Sequence, residues 1–295
     1  MTALLKTLLL LSASLLLTAT LLRHWLRSGQ RLSAVLAASA AVLLMVLSVA
    51  DLYFTLQRAV GFVDSDMFWH YVRSTRHGQA VTWRIGISIV MLVLSVLQVR
   101  RWQLYLLVPA WLAVLATFSY TSHAAAMGGI AALLIDWLHF LAAGVWISVI
   151  LAVTMDSRLW RTEQHLELKR AMRTVSRTGL LSVLLVAVTG VMSGLFHVAE
   201  PERFVSSPYG LALGIKIVLV LITVLIAALN RFRFLPQLER QARPGGLRSS
   251  LIVESIMLLA IFAATGLLTT SALPHGQDVT GPIENLFILI DYLWR

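Results

Sequence analysis

Of the chain's 295 residues 58% are hydrophobic and only 13% charged, against the roughly 25% charged of soluble domains, which excludes a soluble globular fold and implies an integral membrane protein. There is no cysteine, so disulfides, thiolate metal sites and zinc-finger spacings are excluded, and a metal would be held by His, Met, Asp or Glu. The formal charge of +10 reads as the basic cytoplasmic loops of a multi-pass protein in the lipid bilayer, with no nucleic-acid partner.

Eight apolar runs follow in chain order, at residues 4–22, 33–54, 84–99, 104–121, 131–154, 180–198, 211–229 and 251–272. Most approach the ~20 residues that a spanning helix needs, and the third is expected to begin before Arg84. The first run follows Lys6 as a signal peptide would, yet Arg23, Arg27 and Arg31 come directly after it, which suits an anchored helix. Basic residues also follow the third run (Arg100, Arg101), the fifth (Arg158, Arg161, Lys169, Arg170, Arg173, Arg177) and the seventh (Arg231, Arg233, Arg240, Arg243, Arg248). Their bias sets these loops in the cytoplasm. The expectation is therefore an all-α bundle of eight transmembrane helices, a single membrane domain over residues 1–295 with both termini outside.

The longest external loop, residues 57–83, interleaves Phe62, Phe68, Trp69, Tyr71 and Trp83 with Asp64, Asp66, His70 and His77. Asp64 or Ser65 is placed to cap a short helix lying in the aromatic belt of the membrane interface. Met67, His70 and His77, at offsets of three and seven, make a candidate collecting face for a metal. With the termini outside, His123 and His197 also fall at external helix ends, with the soft ligand Met127 following His123.

The fifth run carries the most informative residues. Asp136, His139 and Trp146 project within about 80° of one another on a helix. Ionisable groups at membrane depth are costly unless they are paired or bind something. A carboxylate beside an imidazole can orient the ring as a metal ligand or carry a proton, although a polar pair that merely joins helices has the same spacing. Asp51 and Lys216 are expected to pair with each other or with Asp136, and Asn230 and Arg231 lie level with Glu254, so that an Arg231 and Glu254 pair is expected to close a helix contact or act as a gate.

The ordered set Ser122-His123-Ala124, Asp136, His139, Ala143, Trp146, Thr189-Gly190, Tyr209-Gly210, Lys216, Asn230-Arg231, Glu254 and Pro274 resembles the CopD family of bacterial copper-resistance membrane proteins. The resemblance is strongest over residues 119–275, and Thr75, Gly78 and Arg84 look like the start of that family's third helix. It implies a multi-pass protein of the bacterial inner membrane, not an enzyme, handling copper alongside a periplasmic CopC-like copper-binding partner. His123, Asp136 and His139 match the family's polar positions, whereas Ser122, Ser148 and the absence of a histidine in the first run depart from its pattern.

The donor types suit copper independently, since imidazole and carboxylate favour Cu(II) and thioether favours Cu(I). No Walker motif is present. The leading expectation is a protein moving copper ions between periplasm and cytoplasm through a His/Asp site near the outer face, with uptake slightly favoured because the candidate ligands cluster there. The alternative is a haem-binding transmembrane electron-transfer protein with intramembrane histidines as axial ligands. A membrane enzyme or sensor with a structural metal is a third.

Overall fold

A computed structural model of the protein describes residues 2–27, 30–61, 64–97, 101–122, 129–197, 208–241 and 246–269. Among these residues the regular structure is entirely helical. Hydrocarbon offers the backbone no hydrogen-bond partners, and a helix satisfies its N–H and C=O groups within itself. In chain order the helices are α1 Thr2–His24, α2 Gln30–Val60, α3 Ser65–Ser74, α4 Arg76–Val96, α5 Leu104–Tyr120, α6 Gly129–Met155, α7 His165–His197, α8 Pro208–Leu229, α9 Leu235–Gln241 and α10 Leu247–Leu268.

Seven of these are long and apolar enough to cross a membrane. The fourth of the eight expected spans is α5, a shorter apolar helix of 17 residues. The third span begins at Arg76, eight residues before Arg84, so its polar first turns belong to the same helix. Between α2 and α4 lies the expected short amphipathic helix, α3, whose N-cap Asp64 accepts a 2.7 Å bond from the Met67 N–H. Thr75 ends α3 and caps α4 through the Gly78 N–H at 3.0 Å. A Cβ on Gly78 would run into the backbone of Tyr71 and Val72, so glycine is what lets α3 fold tightly onto α4.

The bundle is organised around α1, which packs against α2, α5, α6 and α10. In its most apolar stretch 61% of α1 is buried, against 11% for the span containing α8. Small residues set the closest approach: a Cβ on Gly266 of α10 would meet Thr7 and the Ala3 carbonyl of α1, and a Cβ added to Gly144 of α6 would lie 3.0 Å from the Trp111 ring. Polar side chains then fix the register, because an indole N–H buried among apolar groups needs an acceptor. Trp111 donates to the Ala13 carbonyl at 2.8 Å, Trp137 to the Leu112 carbonyl at 3.1 Å and Ser148 to the Ser14 carbonyl at 2.9 Å. These bonds lock α5 and α6 to each other and to the central helix.

Candidate functional site

Among the described residues the candidate polar groups gather in three centres, one between α6 and α7, one between α6 and α10, and one joining α1, α2 and α4. In the first, His139 of α6 is half-buried and its Nδ1 lies 3.0 Å from Thr189 Oγ1 of α7. The Thr189 hydroxyl already donates to the Leu185 carbonyl at 2.6 Å. With its one proton spent there, it can only accept from the ring, so Nδ1 carries the hydrogen and Nε2 carries the lone pair. That tautomer leaves Nε2 able to ligate a metal. Its Nδ1 partner is a threonine and not the carboxylate expected from the Asp136 spacing. Gly190 lies against the ring, where an added Cβ would sit 3.6 Å from Cε1, an ordinary contact.

Asp136, one turn before His139 on α6, and Lys216 of α8 lie within electrostatic reach of each other, and Lys216 also reaches His139. A cation, an imidazole and a carboxylate thus share this end of the bundle. His123 and Met127, expected to complete the site, lie outside the described residues, as do Pro274 and His275. His197 ends α7, but its side chain is also outside what the structure describes. Among the described residues no three His, Asp or Glu side chains converge closely enough to hold a metal ion.

The second centre corrects an expectation. Glu254 does not pair with Arg231. Its Oε1 accepts from the Trp146 indole at 3.1 Å and its Oε2 from the Asn230 amide at 2.7 Å. Arg231 points away to α7, donating to the Ser176 hydroxyl at 2.7 Å and carbonyl at 3.1 Å. The cause is local: residues Asn230–Phe234 form a π-turn, in which the Leu235 N–H bonds the Asn230 carbonyl five residues back. Asn230 thus faces α10, while Arg231, the next residue and about 100° further around the helix, faces α7.

The third centre decides between two expectations. Lys216 reaches Asp136, as one of them had it, and Asp51 of α2 does not pair with Lys216. It is bound by Lys6 of α1 at 2.7 Å and by His77 Nε2 at 3.1 Å. Tyr71 completes the chain, its hydroxyl 3.2 Å from His77 Nδ1. Burial pushes the Tyr71 phenol above its ordinary value, so it remains a donor. With Nε2–H directed at Asp51 and Nδ1 accepting from Tyr71, both ring nitrogens of His77 are engaged. His70, in contrast, is exposed, and Met67 is half-buried on the same short helix.

Beside this centre Arg84 of α4 is only 1% exposed. Its Nε donates to Thr117 Oγ1 at 2.9 Å and its guanidinium stacks 4.0 Å above the Phe118 ring. Sequence reasoning missed the roles of Lys6, Tyr71 and Thr189. A lone lysine inside an otherwise apolar first run was the available signal for Lys6, and it has the same appearance as the charged start of a signal peptide.

Residues 2–134 match the family profile described as Copper resistance protein D-like, N-terminal domain, and residues 169–268 match that of Copper resistance protein D. The chain is 26% identical over 183 residues to the inner membrane protein YebZ of Escherichia coli (strain K12), covering 60% of this chain and 62% of that relative. It is also 26% identical over 237 residues to the copper transport protein CutJ of Bacillus subtilis (strain 168), covering 71% of this chain and 43% of that relative. The chain therefore spans less than two thirds of the length of either. No solved structure matches it.

Proposed function

The chain belongs to the copper resistance protein D family of multi-pass membrane proteins, and from that premise we propose that it moves copper ions across the bacterial inner membrane, using a site at the His139 end of α6. The observation that carries this reading is the His139 tautomer. Thr189 holds Nδ1–H, which turns the Nε2 lone pair into the donor that a soft or borderline cation takes up.

Asp136 supplies a carboxylate on the same helix, and His123 and Met127 are the candidates for the remaining ligands. Lys216 compensates the Asp136 charge while the site is without copper. We assign the surface loop a lesser part, since His77 is committed to Asp51 and Tyr71 while His70 is free to meet solvent. Inward movement is favoured because the candidate ligands lie on the side that the basic loops leave outside, with a periplasmic CopC-like protein as the donor of copper.

The test is copper flux into vesicles carrying the purified full chain, with metal analysis of the same protein. His139→Ala is expected to abolish copper binding and flux while leaving thermal unfolding nearly unchanged. Equal flux in parent and variant would remove His139 from the path. An absorption spectrum with haem bands that disappear in the His139 variant would replace copper movement with electron transfer.

A further inference from the structure

We propose that Glu254 is a reversible proton-binding site whose two protonation states are both held by Trp146 and Asn230, and that copper bound at the His139 end of α6 weakens its hold on the proton. The second half rests on the copper reading above.

The geometry joins three segments: α6 contributes Trp146, the π-turn after α8 contributes Asn230, and α10 contributes Glu254. All three side chains are at most 5% exposed. Yet the groups acting on the carboxyl are two neutral donors. A carboxylate withdrawn from water keeps its charge cheaply only beside a cation.

The cations on the neighbouring elements are directed elsewhere. Arg231 is on Ser176, Arg233 is exposed, and Arg248 stacks on Trp160. From α1, Lys6 is on Asp51 and Arg23 is on the Ser95 and Leu97 carbonyls, with His24 one residue beyond it at the helix end. The titratable groups of α6, Asp136 and His139, and Lys216 of α8 form the separate centre described above.

Asn230 has the chemistry to serve both states. As a carboxylate, Glu254 accepts from the Asn230 NH2 group and the Trp146 N–H. When a proton from water binds Oε2, that oxygen becomes a donor, and the amide turned over presents Oδ1 to accept it. Among the described residues Asn230 Oδ1 is buried without a hydrogen-bond partner, so no other bond holds that oxygen away from Glu254, and the turned amide exchanges the places of Oδ1 and the NH2 group. Trp146 donates to Oε1 in both. The proton comes from water and returns to water, and no other bond changes. The π-turn that presents Asn230 is of the kind that recurs at functional sites.

Coupling to copper follows from position. His139 and Trp146 are seven residues apart on α6, about 10 Å along the axis. Glu254 is bonded to Trp146, and one added positive charge about 10 Å from a carboxyl inside a protein lowers its affinity for a proton about tenfold.

The test is infrared difference spectroscopy of the purified full chain across a pH series, with and without Cu(I). A protonated carboxyl band is expected that titrates, is absent in Glu254→Gln, and moves about one pH unit lower in midpoint with Cu(I). Trp146→Phe, which keeps the carboxyl and removes a donor to its ionised form, is expected to raise the midpoint, and it serves where Glu254→Gln does not fold. Spectra of parent and Glu254→Gln that agree at every pH would overturn the proton site, as would a Trp146→Phe midpoint equal to the parent's. A band that titrates at the same pH with copper bound would overturn the coupling alone. If copper analysis finds no binding, the copper reading falls and the coupling with it, while the band still decides the proton site.

Discussion

Asp51 and Glu254 are both acids buried in the bundle, and they are stabilised by opposite means. Asp51 meets an ammonium and an imidazole from two other helices, whereas Glu254 meets an indole and an amide. A carboxylate tied by charge is expensive to alter in either direction, since its partners become uncompensated when it goes. One surrounded by neutral donors can change its own charge without stranding a neighbour. The same residue chemistry is therefore a tether in the N-terminal half and a site able to respond in the C-terminal half.

The largest effect is expected where the charge network is broken. Asp51→Asn leaves Lys6 and His77 facing a neutral amide, and thermal unfolding in detergent should register a loss of about 3 kcal/mol. The lower end of the usual range applies because Lys6 is 28% exposed. Replacing Lys6 and Asp51 together with leucine should recover much of the loss. An Asp51→Asn protein as stable as its parent would erase the distinction between the two acids.

Next in size is the crossing of α1 and α10, which carries Lys6 on one side and Glu254 on the other. Gly266→Ala forces a methyl against Thr7 and the Ala3 carbonyl and should cost about 1–3 kcal/mol on the same unfolding measurement. Gly190→Ala is the control, since its Cβ would lie at ordinary contact from His139, and it should be nearly neutral.

Thr189→Val removes the acceptor for His139 Nδ1–H while keeping the side chain's shape. Copper affinity, read by competition with a chelator, should fall ~10–100-fold with little change in stability. Unchanged affinity would mean that the ring needs no help from α7. A small stability effect is also expected of Glu254→Gln, which retains acceptor capacity toward Trp146 and strands no charge, and should cost less than about 1 kcal/mol. A large loss there would make Glu254 a tether like Asp51.

Much of the architecture was legible in the chain. Runs of apolar residues marked every long helix, Asp64 marked the cap of α3, and Asp136, His139, Trp146, Asn230 and Glu254 stood out as polar groups where none are cheap. Partner choice was not legible. Level along the membrane normal suggested Arg231 for Glu254 and Lys216 for Asp51, but level says nothing about which way around a helix a side chain points.

The sequence by itself determined an all-helical membrane protein, because hydrocarbon allows long apolar segments few other ways to satisfy their backbone. It also determined which side chains had to find partners, because burying a polar group unpaired costs free energy wherever it lies. Only the tertiary structure decided who those partners are. The packing of the turn after α8 sets Asn230 against Glu254 and Arg231 against Ser176, and the fold of α3 onto α4 at Gly78 brings Tyr71 to His77. Such rotations follow from how whole helices pack, and residue spacing within one helix does not contain them.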